Sequence, residues 1–470
     1  MAFIGTALPF CQRHFTRTKS YYCPSWAIKN AGVLVRSPVT IDDIRADIKL
    51  YGGPSAPRFE DPVLDDVIRD CYRHFKINPV RPIHLNDIPR QQLDNWNSSP
   101  GLPWKEYGFK TKREVALDHR AFQSIRRTWH LVKEGESISL PDCAAYVRPH
   151  LVPEGEKKVR AVWGYPTTVS FMEACFALPL IDAYKKSASP MAYGFETARG
   201  GCRKIFQRMA KYKNFMSSDY SRFDKTVPAW LIRIAFDILL ANIDLTRYKD
   251  EGIPDTEKLY RAWKKIITYF INTPIRMCNG ERYRKNRGVA SGSYFTQLID
   301  SIVNWIVTQY SVRKQGVSIL DHLVLGDDSL IATDRPVHIP SLVNYAKQFG
   351  MHINEDKTQQ VSSIQEIKFL GYQINTGGPS RPLRELCAAL AYPERPDRDF
   401  NDFATRALGL LIANFGHHLD FDACCRAVLL HPHHINYSPS ISRYLRVMGI
   451  DQLPKEPPDL FQLQLWRYRT

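Results

Sequence analysis

Residues 318–334 read SILDHLVLGDDSLIATD, two runs rich in Leu, Val and Ile that close on Gly326, Asp327 and Asp328. The pattern predicts a β-hairpin with the acids at its turn. A tight turn sets neighbouring carboxylates at the tip, where a hard divalent cation reaches both. Asp-rich turns are also simply good turns, so the segment needs company before it carries chemistry.

That company lies upstream, in NFMSSDYSRFDKTVPAWLIRIAFDILLANI (214–243). Asn214 to Ser218 reads as a short strand ending at Asp219, with Asp224 five residues on and a helix opening near Pro228. Carboxylates at a strand end are available to a ligand beyond the sheet edge. Alternatively, Asp224 or Thr226 caps the helix. Two-metal nucleotidyl transfer needs acids from separate strands that clamp cations about 3.5–4 Å apart. Asp219, Asp327 and Asp328 would supply that set, and magnesium suits such all-oxygen ligands.

Between the two acid segments, RGVASGSYFTQLIDSIVNWIVTQY (287–310) reads as a Gly/Ser loop running into an apolar helix. Thr296, Asp300 and Asn304 fall at i, i+4 and i+8, one polar stripe on a greasy surface. The stripe would contact Asp224 and a ribose hydroxyl, or else form an internal network joining helix to sheet. Ser291 and Gly292 suit backbone contact with a phosphate, although Gly/Ser at a helix start is also ordinary capping.

Composition agrees with a polyanionic partner. The 470 residues carry 64 Lys+Arg against 48 Asp+Glu, a formal charge of +16. With 44% hydrophobic residues the chain can bury a large core, which excludes a disordered or collagen-like class. No uncharged apolar run approaches the roughly 18 residues of a spanning helix, and the longest, near Ala174–Ile181, carries Pro179. No membrane is therefore expected. The N-terminal MAFIGTALPFCQRHF lacks a preceding basic region and makes a poor signal peptide. Ten scattered cysteines without a CxxC read as a reduced intracellular protein. The spacing of His417, His418, His431, His433 and His434 matches no zinc pattern. Texture divides the chain: residues 1 to about 210 read as irregular with short helices, 213–372 as mixed strands and helices, and the part beyond the turn-rich 374–382 as helical. The fold class is α+β.

Taken together, DYSRFD (219–224), SGSYFTQLIDSIVN (291–304) and LGDDS (325–329) resemble motifs A, B and C of viral RNA-dependent RNA polymerases. The likeness is greatest to those of partitiviruses, small double-stranded RNA viruses, and covers roughly Asn97 to Tyr372. Asp300 departs from the wider positive-strand pattern, where Asn is commoner, and agrees with the partitivirus-like group. The resemblance implies further roles. GMHINEDKTQQ (350–360) is similar to motif D, with Lys357 the general acid for the pyrophosphate leaving group; read alone, Lys357 is an exposed loop lysine. IKFLGYQI (367–374) is similar to motif E, a strand pair under the primer end, or plain sheet packing. KKVRAVWGYP (157–166) is similar to motif F, where Lys157, Lys158 and Arg160 would line the nucleotide entry channel. NSSPGLPWKEYGFKTK (97–112) is similar to motif G, with Ser98, Ser99, Pro100 and Gly101 on the template path. Basic and aromatic residues interleave there, among them Lys105, Lys110 and Lys112.

The implied architecture is a right hand with an antiparallel-sheet palm and a helical thumb. Fingers would take residues 1–210, including an N-terminal extension, and 245–286; the palm 211–244 and 287–377; the thumb 378–470. The implied function is RNA-directed synthesis of a double-stranded, segmented viral RNA genome with two Mg²⁺ ions, Mn²⁺ being able to substitute. Asp219 and Asp327 would be the main metal ligands, Asp328 supporting. Asp224 with Asp300, Ser291 and Thr296 would read the ribose 2′-hydroxyl. Expected partners are RNA template and product, NTPs and the viral capsid protein, in host cytoplasm and inside the virion. A reverse transcriptase would usually carry a bulky aromatic at the Asp224 position and YxDD in place of GDD. A basic RNA-binding structural protein would explain the charge but not acids at two strand ends.

Overall fold

A computed structural model of the chain describes residues 1–10, 18–374 and 379–468. The boundary expected at 377 and most of the turn-rich stretch before Ser380 lie outside the described residues.

Two antiparallel-rich sheets organise the molecule. The central one has four strands, in the order Ile319–Leu325, Asp328–Thr333, Phe215–Ser217 and Gln359–Val361, all antiparallel. The helix Thr296–Arg313 packs on it and is buried at every position from Leu298 to Val312. Its burial on all sides explains why the sequence shows an apolar helix with a few polar members rather than an amphipathic one. The strand expected at 214–218 is Phe215–Ser217, and the expected helix opens at Ala229 with Pro228 at its N-cap.

The second sheet has five strands, in the order Ala2–Thr6, Glu281–Arg284, Pro274–Arg276, Cys143–Pro149 and Val159–Gly164. Only the Cys143–Pro149 and Pro274–Arg276 pair is parallel. Strands from 2–164 and from 274–284 thus share one sheet.

The first 210 residues depart from the irregular reading. They hold the helices Pro62–His74, His119–Glu134 and Thr167–Lys185, of 13, 16 and 19 residues. The last is buried on nearly every face and carries Pro179 inside it. A helix covered on all sides lacks the 3.6-residue apolar stripe by which a sequence announces it. Beyond the central sheet the chain is helical, as expected, through Leu383–Ala391, Phe400–Asn414, Leu419–Leu429, Pro439–Val447 and Leu460–Tyr468. These helices share a core with Ala27 and Ala31 of the helix Ser25–Ala31. Among the described residues no helix is long and apolar enough to cross a membrane.

Candidate active site

The hairpin closes through two residues, Gly326 and Asp327, with Leu325 paired to Asp328. Two-residue hairpin turns need a positive φ, and Gly326 supplies 66°. The helix Thr296–Arg313 grips this glycine from both sides. Gly326 N donates to Ser301 Oγ at 2.9 Å, and Asn304 Nδ2 donates to Gly326 O at 3.0 Å. Thr308 Oγ1 in turn donates to Asn304 Oδ1 at 3.1 Å. Asn304 therefore serves the network joining helix to sheet, one of the two roles its position suggests. A Cβ on Gly326 would stand 3.0 Å from Gln297 Nε2, so the tip is pressed against that helix.

The neighbouring strand delivers the other acid. Met216 pairs with Ile331 in antiparallel register. The strand ends at Ser217, so Asp219 lies in the link before Tyr220–Ser221 and not at the strand end itself, and from there its charge reaches the Asp328 carboxyl. Asp219 is fixed from behind by the segment 354–358: Asn354 N donates to its carbonyl at 2.6 Å, and its own N–H donates to Thr358 Oγ1 at 3.3 Å. Lys357 lies on this same segment and is exposed. Burial first, then the facing carboxylates of Asp327 and Asp219, push Asp328 up to about 7, although the residue keeps an exposed face. Mutual repulsion of this kind is what a divalent cation relieves, and the donors are all oxygen, so the set suits magnesium. Among the described residues no three such side chains close around one point as they stand. The acids share one sheet edge without forming a tight ligand cluster.

Asp300 is buried behind the tip, and burial followed by the charges of Asp327 and Asp224 drives its carboxyl well above the ordinary range. Its Oδ1 finds no hydrogen-bond partner among the described residues. Lys285 is buried nearby, donating to Gly288 O at 2.8 Å and Ile271 O at 3.0 Å, and burial lowers it to about 7. Asp224 is held by Tyr51, whose hydroxyl donates to Oδ2 at 2.7 Å. Burial raises Asp224, while Lys225 and the Tyr51 bond oppose that rise.

The remaining predicted residues divide. Lys158 lies within reach of the charges of Asp219, Arg160 and Lys357, and Arg160 within reach of Asp224. Lys157 is drawn aside into an ion pair with Asp43 at 3.2 Å. Ser291 Oγ accepts from Trp163 N at 3.4 Å, and a Cβ on Gly292 would fall 1.8 Å from Trp163 O. This loop is therefore packed tightly on the strand Val159–Gly164. Thr296 Oγ1 donates to Ala290 O at 2.6 Å, closing the loop on the helix start. Of the 98–101 segment, Ser99 is exposed and bonds Tyr146 at 2.8 Å, Ser98 Oγ donates to Asn95 O, and Pro100 O accepts from Thr167 N at 2.9 Å. Gly101 approaches Tyr165 O so closely that a Cβ would stand 2.7 Å away. Lys112 is turned inward, its Nζ donating to Ser170 Oγ at 2.9 Å, which removes it from an RNA-facing role. The strand pair expected at 367–374 is the hairpin Lys368–Phe369 and Tyr372–Gln373, and Phe369 shares a core with Leu330 and Ala332 of the acid hairpin.

Sequence reasoning missed Tyr51, Ser301 and Glu173. Glu173 is fully buried, and its carboxyl accepts from Ser293 Oγ at 2.8 Å and Tyr294 N at 2.9 Å, anchoring the loop before the central helix. Only Ser301 had a visible signal, being one helical turn from Asn304 and two from Thr308.

Known proteins supply the affiliation. The profile of the viral RNA-dependent RNA polymerase family matches residues 36–413. An RNA-directed RNA polymerase of Cryptosporidium parvum virus 1 is 31% identical over 69% of the chain and 63% of that protein. One from Atkinsonella hypoxylon virus is 29% identical over 69% of the chain and 54% of its own length. The chain thus spans a little over half of these curated relatives. Among solved structures, Sicinivirus 3Dpol RNA-dependent RNA polymerase superposes with a TM-score of 0.69 at 14% identity, over 95% of this chain and 99% of that one. The RNA-dependent RNA polymerase of a human picobirnavirus gives 0.64 at 14% identity, over 85% and 76%. At such identity the likeness speaks for the fold alone, a right hand with an antiparallel palm sheet and a helical thumb. With its acid hairpin paired to the strand Phe215–Ser217 that leads to Asp219 and a family match running through most of its length, the chain belongs to the viral RNA-dependent RNA polymerases.

Proposed function

We propose that the chain is an RNA-directed RNA polymerase that replicates and transcribes a double-stranded, segmented viral RNA genome. The 3′-hydroxyl of the growing strand attacks the α-phosphate of an incoming NTP, and pyrophosphate leaves. The observation that carries this reading is the convergence of the Asp219 and Asp327 charges on Asp328, in a chain whose residues 36–413 match the family. Asp219, Asp327 and Asp328 would hold two Mg²⁺ ions, or Mn²⁺ in their place. Bound there, the ions supply Lewis-acid stabilisation of the attacking and leaving oxygens.

The chain's own groups do the rest. Lys158 and Arg160 attract the triphosphate toward the acid edge, while Lys157 is engaged by Asp43. Lys357 holds a proton for the departing pyrophosphate. Asp224, backed by Asp300, accepts from the ribose 2′-hydroxyl. Asn304 and Ser301 keep the Asp327 turn in place. Ser291, Gly292 and Thr296 shape the loop beside the nucleotide, and Ser98 to Gly101 border the template.

The proposed division has fingers at 1–210 and 245–286, palm at 211–244 and 287–377, and thumb at 378–470; it is supported by the five-stranded sheet drawing on the first two ranges, the four-stranded sheet on the next two, and the helices from Leu383 to Tyr468 falling in the last. RNA and NTPs are the proposed substrates. Capsid protein as a partner, and host cytoplasm and virion interior as the setting, are proposed because the curated relatives are proteins of viruses.

The test is NTP incorporation on a defined RNA template with Mg²⁺. Wild-type protein should extend RNA, and the combined Asp327→Ala and Asp328→Ala variant should lose synthesis while retaining RNA binding. Continued synthesis by that variant would sink the metal assignment, and no synthesis by wild type the activity.

A further inference from the structure

The acid assigned to the ribose is itself held by a residue far away in sequence. Tyr51 lies just past the helix Ile41–Lys49, is 1% exposed, and directs its hydroxyl to Asp224 Oδ2 at 2.7 Å. Its ring stands edge-on to Trp163 of the strand Val159–Gly164, with centroids 5.0 Å apart. Neighbouring contacts brace the same point. Lys225, the residue after Asp224, forms a buried ion pair with Asp47, whose other oxygen accepts from Ala161 N at 2.8 Å. Val289 N donates to Asp224 O at 2.6 Å, which fixes the backbone as well. The segment 47–51 therefore clamps Asp224 and Lys225 to the strand that borders the nucleotide entry.

A carboxylate swings about its last torsion in a broad well unless something selects one orientation. Here the surroundings favour a swing, because Asp300 lies close by and the Asp47 carboxylate repels Asp224. The bond from Tyr51 opposes it and helps Asp224 remain an acceptor. Discrimination by a hydrogen bond to a substrate hydroxyl works only where the site's own polar group is held ready and left unpaired by the wrong substrate. We propose that Tyr51 is a positioning residue for sugar selection. By holding Oδ2 it turns Oδ1 of Asp224 toward the 2′-hydroxyl of the incoming NTP, without itself touching the nucleotide. This rests on the assignment of Asp224 made above.

The experiment compares kcat/KM for one NTP and its dNTP on the same RNA template, using wild type, Tyr51→Phe, Asp224→Ala and the double variant. Each ratio comes from a single preparation, so any loss of folded protein cancels. Tyr51→Phe should lower the NTP/dNTP ratio about tenfold, the scale of losing a hydrogen bond to a charged acceptor. The double variant should match Asp224→Ala, because Tyr51 acts through that acid. Three results would overturn the inference: a wild-type ratio in Tyr51→Phe beside a collapsed one in Asp224→Ala; an equal fall for both nucleotides; or additive effects in the double variant. Should Asp224→Ala itself keep the wild-type ratio, the assignment of Asp224 fails, and the inference falls with it.

Discussion

Gly292 shows how little room the candidate site leaves for change at a single residue. Its hydrogen occupies a gap where a Cβ would fall 1.8 Å from the Trp163 carbonyl, a backbone atom that cannot swing aside. Gly292→Ala should therefore shift the loop before the central helix. We expect about 1–3 kcal/mol of destabilisation in a urea melt and a clear fall in nucleotide incorporation; a variant with wild-type melting and turnover would refute this. The principal acids were legible in the sequence because each owes its place to local structure: Asp219 to the link just past a strand, Asp327 to a two-residue turn and Asp328 to the strand position that follows it. Tyr51 was not, since it meets Asp224 across 173 positions and no local pattern records such a contact. Lys112 misled for a related reason. Basic residues among aromatics read as a nucleic-acid surface, yet this one is 5% exposed against Ser170.

At the scale of elements, the acid hairpin is braced by a neutral imidazole. His322, on the strand Ile319–Leu325, stacks on Trp305 with centroids 5.9 Å apart. Arg313 Nε donates to Gln309 Oε1 at 3.0 Å, so Gln309 must offer its amide N–H to His322 Nδ1, also at 3.0 Å. The ring proton then sits on Nε2 and points to Ser329 Oγ at 3.2 Å, on the opposite strand. Burial, with His74 and Arg313 close by, lowers His322 to about 3. Between that value and the usual 6.5 the unfolded chain takes a proton that the folded chain refuses. Stability is therefore complete above 6.5 and falls as the pH drops toward 3, by up to about 1.4 kcal/mol per pH unit. His322→Gln should lose roughly 2–3 kcal/mol less than wild type between pH 6.5 and 4.5 in chemical denaturation. Equal losses would remove His322 from the acid response. The hairpin itself was readable from its two apolar runs. The helix Thr167–Lys185 was not, because burial on every face erases the stripe that marks a helix.

For the whole molecule, the ion pair of Asp47 and Lys225 joins the early chain to the segment bearing Asp224, and both side chains are under 10% exposed. Asp47→Asn keeps an acceptor for Ala161 N but strands the lysine charge. A loss of about 3–5 kcal/mol is expected by denaturant titration, and a loss under 1 kcal/mol would show the pair to be replaceable. The net +16 suggested a class of partner but not its path, because charge totals carry no positions: Lys158 and Arg160 lie within charge reach of Asp219 and Asp224, while Lys285 and Lys112 are spent inside. The five-stranded sheet adds a matter of timing. Its edge strand Ala2–Thr6 pairs with Glu281–Arg284. At a synthesis rate of about 5–20 residues per second, this strand waits roughly 15–60 seconds for its partner to be translated. Through that interval its unpaired backbone is open to other chains. A strand made early is thus among the last to find its place, and a nascent chain stalled before residue 281 would carry it bare.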